Sequence, residues 1–209
     1  RKAPREDVIS HLIGQGYSDA EILTECLTYG AAGMATTREF IVMAAWHLLE
    51  QEELRGRFLG SDEAGQVAIL EEILRLEPVV GVLYRRTEHE LVLEGDNGPE
   101  RLPPGTLVAI DVRAANTDPD AAGACPLHLD ADRQLTAGKA GGALMSFGDG
   151  AHRCPGASVA LQETAIFLDR LLRVPGLRLE RAPSPSWNPL IAGYQLRGAL
   201  LRAERLSET

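Results

Sequence analysis

Phe147-Gly148-Asp149-Gly150-Ala151-His152-Arg153-Cys154-Pro155-Gly156 is the stretch on which the reading of this chain turns. An aromatic and two glycines precede a single cysteine, and a proline and a glycine lead into an apolar-striped run from Ala157 to Leu172. A loop this rich in glycine brings backbone close to something, or takes it through dihedrals that a side chain forbids. The cysteine falls just before the predicted helix, where the free amides of Gly156 and Ala157 and the positive helix end would favour a thiolate. Pro155 suits the first helical position, where a missing N–H costs nothing. On its own, a buried cysteine at this place is more often an inert small hydrophobe than a metal ligand.

Downstream, the helix predicted over 155–173 carries its stripe at Ala157, Ala160, Leu161, Thr164, Leu168 and Leu171, a face suited to a flat apolar cofactor or another helix. Pro175 and Gly176 end it. Trp187–Ile191 followed by Gly193–Gly198, with alternation continuing through Leu200 and Leu201, reads as a strand pair.

Upstream, Arg1 to Gly16 reads as a short helix with a stripe at Val8, Ile9, Leu12 and Ile13. Ser18 opens a second helix with Glu21 completing a capping box. Its periodic pattern runs from Ile22, Leu23, Cys26 and Leu27 to Ile41, Ala44, Ala45, Leu48 and Leu49, which makes it about 30 residues and about 45 Å long. Its middle, Tyr29-Gly30-Ala31-Ala32-Gly33-Met34-Ala35-Thr36-Thr37, is poor in helix formers, which suits either a tight helix crossing or a ligand face. Asp62 and Glu63 open another helix that runs through Val67, Leu70, Ile73 and Leu74 to the stop at Pro78. Glu72 and Arg75 on it have the spacing of an ordinary solvated ion pair. Val79 to Leu93 is apolar and strand-like, Gly95–Pro99 and Leu102–Gly105 are turns, and Leu107–Val112 is a short strand. Thr136 to Gly142 is irregular.

The chain has 209 residues, 44% of them hydrophobic, with 21 Lys and Arg against 30 Asp and Glu and a net charge of -9. That is enough for one domain with a real core. The acidic balance argues against nucleic acid or an anionic membrane as partner. Three cysteines, Cys26, Cys125 and Cys154, have no paired spacing, so a reducing cytoplasm suits the chain better than a disulfide framework. No run of eighteen apolar residues occurs and the first residues are charged, which predicts a soluble protein without a membrane anchor in this piece.

The loop resembles the cysteine-ligand loop of the cytochrome P450 family, Phe-Gly-x-Gly-x-His-x-Cys-x-Gly, at Phe147, Gly148, Gly150, His152, Cys154 and Gly156. Three more segments in the family's order are similar. Ala32, Gly33, Thr36 and Thr37 match the oxygen-binding groove of the central helix, although Ala35 stands where the family has an acid. Glu72 and Arg75 match Glu-x-x-Arg. Asn116-Thr117-Asp118-Pro119 and Leu129-Asp130-Ala131-Asp132-Arg133 resemble the meander, whose arginine would join the other two.

The resemblance implies a mainly α fold with small β-sheets, residues 1–209 being the haem-binding C-terminal part of a P450-like domain whose N-terminal part is absent. It implies Cys154 as the axial thiolate of haem b, with Phe147 beside the sulfur and Gly156 after it. His152 and Arg85, the latter in preference to Arg86, would lie at haem propionates. Ala32 and Gly33 would line the cofactor, and Thr36 would take part in proton delivery during dioxygen activation. The C-terminal hairpin would reach toward substrate. The implied activity is a haem-thiolate monooxygenase acting on a small organic substrate, with electrons from a ferredoxin and ferredoxin reductase or an equivalent donor. The alternatives are a peroxide-using or coupling haem-thiolate enzyme, and a non-catalytic helper of the same fold.

Overall fold

The computed structural model describes residues 4–95, 98–133, 135 and 142–204. Arg1 to Ala3, at the start of the first predicted helix, and all of the irregular stretch after Thr136 except Gly142 lie outside the described residues.

The elements in chain order are α1 Val8–Gly14, α2 Asp19–Glu50, α3 Glu52–Gly60, α4 Glu63–Leu76, β1 Val82–Arg86, β2 Leu91–Gly95, β3 Gly98–Leu102, β4 Leu107–Asp111, α5 Val112–Asn116, α6 Pro119–Ala122, α7 Ala157–Leu172, β5 Arg178–Arg181, β6 Ser184–Asn188, β7 Gly193–Arg197 and β8 Leu200–Arg202. The mainly α reading with small sheets therefore holds.

The 32-residue α2 starts where its sequence says it should. The Ser18 hydroxyl accepts from the Glu21 N–H, and the Glu21 carboxylate accepts from the Ser18 N–H, so two of the orphan donors at the helix start are satisfied. Gln51 ends the helix with φ -114 and ψ 94. Directly after it runs α3, which the sequence pattern did not announce because no side chain caps its start. Asp62 caps α4 through the Gly65 N–H at 2.9 Å.

The core lies where α2, α4 and α7 meet. Phe40, Met43, Ala44 and Leu48 of α2 pack with Ile69, Leu70 and Ile73 of α4 and Leu161, Ala165 and Leu168 of α7, and Phe58 of α3 closes one end. Two predicted stripes are only partly used. Val8 and Ile9 of α1 are 49% and 48% exposed, because α1 touches little but α2. Leu23 and Leu27, in the first half of the α2 stripe, are also exposed; outside the predicted stripes, so are Met34 on α2 and Val159, Ile166 and Phe167 on α7.

Four two-stranded antiparallel sheets surround the helices. The first pairs β1 with β4, setting Leu83 opposite Ile110 and Arg85 opposite Val108. The stretch expected to be strand-like from Val79 to Leu93 is divided between β1 and β2, and β2 pairs with β3, a strand that begins within the expected turn Gly95–Pro99 and runs beyond it. The strand expected to reach Val112 stops at Asp111, whose carboxylate accepts from the Ala114 N–H and so starts α5 instead. The predicted C-terminal hairpin is β6 with β7, and β5 pairs with β8 beside it.

Candidate functional site

Cys154 is held by its own loop. The chain makes a 3-10 turn over Leu144–Phe147, turns through Gly148 at φ 67, and returns so that the Cys154 N–H donates to the Phe147 carbonyl at 2.7 Å. A side chain at Gly148 would adopt this φ with strain and would press on the His152 carbonyl at 3.3 Å, which is why the loop needs glycine there. The thiol is free and exposed. Its sulfur lies 3.9 Å from the place a Cβ on Gly156 would take.

The helix after the loop starts later than expected. Gly156 is the N-cap, and the first helical bond runs from the Ala160 N–H to the Gly156 carbonyl at 2.9 Å, so Pro155 stands before the cap and not at the first helical position. Cys154 is thus separated from the helix by Pro155 and Gly156, and it is exposed where a buried thiol was anticipated. Phe147, Cys154 and Gly156 are brought together directly. His152 sits exposed in the adjoining 3-10 turn Gly150–His152.

Behind the loop, α4 provides a buried charged frame. Arg75, fully buried, donates to Glu72 through Nε at 2.7 Å and Nη2 at 2.8 Å. Arg133 joins from 61 residues away, its Nε reaching the same carboxylate at 3.0 Å, and the Asp130 N–H adds a further donor at 3.0 Å. The remaining guanidinium donors go to backbone carbonyls: Arg75 to Asn116 and Pro126, Arg133 to Ala122, Ala124, Cys125 and His128. The ordinary solvated pair is thereby replaced by a saturated buried triad. Sequence reasoning quoted Asn116 but gave it no job. Its side chain, fully buried, accepts from the Met145 N–H and donates to the Ser146 hydroxyl and the Arg75 carbonyl, while Ser146 donates to the Leu74 carbonyl. Asn116 therefore ties the cysteine loop to α4.

On α2, the Gly30–Thr37 segment is continuous helix, and the Thr36 hydroxyl donates to the Ala32 carbonyl at 2.8 Å. A Cβ at Gly30 or Gly33 would meet nothing within 4 Å, so among the described residues no helix crosses there. Ala32 and Gly33 are exposed, and Ala35 and Thr36 are half-buried. Strand alternation sends Arg85 to the Leu83 side of β1 and Arg86 to the other. Arg86 donates to the Gly105 carbonyl, whereas Arg85 reaches only the neighbouring Tyr84 carbonyl at 2.9 Å. Among the described residues, no hydrogen bond joins Arg85, His152 or Thr36 to Cys154.

One carboxylate escaped the sequence reading altogether. Glu39, a turn after Thr36, is fully buried and accepts from the Leu196 N–H at 2.7 Å, from Arg197 Nη1 at 2.8 and 3.1 Å, and from Arg38 Nε at 2.9 Å and Nη2 at 2.6 Å. Burial pushes its pKa up, but the bonds from Arg197, Leu196 and Arg38 outweigh it and hold the carboxyl below its ordinary value.

These features define an exposed thiol, Cys154, on a backbone-fixed loop, framed by a buried Glu-Arg-Arg triad and accompanied by a small-residue helix face. The family model for cytochrome P450 matches residues 67–182, and the chain belongs to the cytochrome P450 family. The protein is 34% identical over 194 residues to putative cytochrome P450 133B2 of Xylella fastidiosa (strain 9a5c), covering 90% of this chain and 46% of that protein. Its fold is similar to cytochrome P450 CYP109Q5 from Chondromyces apiculatus, with a TM-score of 0.78 and 29% identity over 100% of this chain and 52% of that one. It is also similar to Mycobacterium smegmatis CYP164A2 with econazole bound, with a TM-score of 0.73 and 28% identity over 98% of this chain and 49% of that one. The chain spans about half the length of the curated relatives it matches. No described helix is long and apolar enough to cross a membrane.

The family implies a haem, and the residues fit one. Among the described residues no three His, Cys, Asp or Glu side chains gather as a metal site. A lone soft thiol is a poor cage for a bare ion, but it is a complete protein ligand set for an iron already held by four porphyrin nitrogens. The open surface at Gly30 and Gly33 is of the kind a flat macrocycle can cover.

Proposed function

We propose that this chain is the haem-binding half of a monooxygenase that inserts one oxygen atom from O2 into a small organic substrate, with Cys154 as the axial thiolate of haem b. The observation that carries the reading is the exposed Cys154, fixed by the Phe147 carbonyl in the glycine-rich loop of a chain of the cytochrome P450 family. A thiolate-ligated haem supplies O2 binding and, given two electrons, O–O cleavage. The chain's own residues do the rest. Phe147, packed against the core, anchors the loop through its carbonyl on the Cys154 N–H, and its ring would lie beside the sulfur of the bound state. Arg85, with no carboxylate partner among the described residues, and His152 hold the propionates. Thr36 keeps its hydroxyl proton on the Ala32 carbonyl, and with haem bound this hydroxyl would be the donor for proton delivery. Ala35 presents a methyl where a carboxylate would relay protons, so water brings them to Thr36 Oγ1.

Electrons come from a ferredoxin and its reductase or an equivalent donor, and the cytoplasm is the place for such partners. The exposed Leu23, Leu27 and Met34 of α2 and Ile166 and Phe167 of α7 support a further polypeptide that completes the fold over them, since apolar patches of this kind mark contact surfaces. A peroxide-using enzyme is the second reading, favoured by Ala35.

The ferrous-carbonyl absorption spectrum of the haem-loaded protein tests the proposal. A thiolate-type spectrum is expected, lost in Cys154→Ser with unchanged helical circular dichroism. A histidine-type spectrum, or no haem uptake, removes the assignment.

A further inference from the structure

The hairpin β6–β7 is bonded at two places. Near its turn, the Gly81 and Val82 N–H groups donate to the Ala192 carbonyl at 2.9 and 3.2 Å, and the Tyr194 N–H donates to the Val79 carbonyl at 3.2 Å. Gly193 passes so close to the Val79 carbonyl that no side chain fits there. This end is therefore fixed, by backbone, to the segment that continues into β1 and Arg85. At its far end, the Leu196 N–H and the Arg197 guanidinium both end on Glu39, one helical turn after Thr36 on α2. The hairpin thus spans the two elements that carry the proposed distal and propionate residues; Leu196 is buried in the core that α2 shares, and among the described residues a single buried carboxylate takes the hairpin's hydrogen bonds to that helix. The carboxylate is saturated by Leu196, Arg197 and Arg38, and all three give to it as donors.

We infer that Glu39 is a positioning residue that sets the β6–β7 hairpin against α2 and thereby limits the size of ligand admitted beside Thr36. The inference rests on the proposed haem site. Glu39 does not touch the reacting atoms; it acts through the backbone of Leu196. A neutral amide in its place would turn an NH2 toward guanidinium or amide donors, and the hairpin end would be held by the packing of Leu196 alone and so loosened, while its turn stayed pinned at Val79 and Gly81.

The test compares haem-loaded parent, Glu39→Gln and Arg197→Ala. Soret titrations give the Kd for imidazole and for the bulkier 4-phenylimidazole, and hydrogen exchange is followed at the Leu196 amide. Loss of a charge-assisted bond predicts exchange at Leu196 about 10-fold faster in Glu39→Gln. The ratio of the two Kd values should shift by about 3-fold or more toward the larger ligand, with the ferrous-carbonyl spectrum unchanged. Arg197→Ala leaves the Leu196 bond and Arg38 in place, so it should move both readouts the same way by less, and it decides the matter should Glu39→Gln fail to fold. A ratio unchanged in the folded variants overturns the inference, as does unchanged exchange at Leu196. A parent that takes up no haem counts against the proposed function, and the Leu196 exchange then decides the clamp by itself.

Discussion

Replacing Glu72 with alanine removes the acceptor that two buried cations share. Arg75 is fully buried, and the Arg133 side chain is 7% exposed. Neither can reach water in compensation. Their other donors are satisfied by the Asn116, Pro126, Ala122, Ala124 and His128 carbonyls, so both guanidiniums stay in place and confront each other without the charge between them. The Asp130 N–H loses its acceptor as well. Uncovering a buried charge in this way costs about 3–5 kcal/mol, against roughly 0–1 kcal/mol for an exposed pair. At 2–4 °C per kcal/mol for a chain of this size, the melting temperature should fall by roughly 6–20 °C. The loss should also loosen the cysteine loop, because Asn116 bonds the Arg75 carbonyl on one side and Met145 and Ser146 on the other. Thermal unfolding by circular dichroism gives the first quantity and haem content per chain the second. The surface pair Arg57–Asp132, with side chains 44% and 76% exposed, provides the control, and Arg57→Ala should stay within about 4 °C. A Glu72→Ala protein that melts with the parent and retains its haem would refute the claim that this triad frames the site.

Three other outcomes are expected. Arg85→Ala should weaken haem retention, measured by transfer to an apo-haem acceptor, while Arg86→Ala should not, because Arg86 is engaged on the other strand face with the Gly105 carbonyl; equal effects would remove the assignment of Arg85. Thr36→Ala should uncouple reductant use from product and release hydrogen peroxide, whereas Ala35→Asp should alter turnover only modestly, and unchanged coupling in Thr36→Ala would end the proton-delivery role. Glu39 has a folded pKa below its ordinary 4.5, so its stabilisation is complete above that value and is lost as the pH falls through the folded one. The melting-temperature gap between parent and Glu39→Gln should therefore be constant above the ordinary 4.5 and narrow progressively as the pH falls below it; a gap that does not narrow in acid would contradict the linkage.

What the sequence disclosed and what it withheld divide along the distance over which a residue finds its partner. Ser18 and Glu21 meet three residues apart, so the start of α2 is legible from two letters. Glu72 and Arg75 are equally local, but their spacing alone describes a surface pair as well as a buried one. Only the arrival of Arg133 from 61 residues away and the carbonyls of the meander make the pair a frame, and the resemblance, not the spacing, pointed to it. The break at Gln51 had no capping side chain to announce it, and α3 went unread. Pro155 before the helix was consistent with two starting points, and the bond from Ala160 to Gly156 selects the later one. Glu39 shows where local reading stops. An acidic residue directly before Phe40, and four residues before Met43, sits on the buried side of α2, which is itself a signal of a missing cation or donor. Its partners Leu196 and Arg197 lie 157 and 158 residues further on. No period or motif connects positions that far apart, so a carboxylate buried on an apolar stripe tells the reader that a donor exists without telling where, and the folded chain supplies the address.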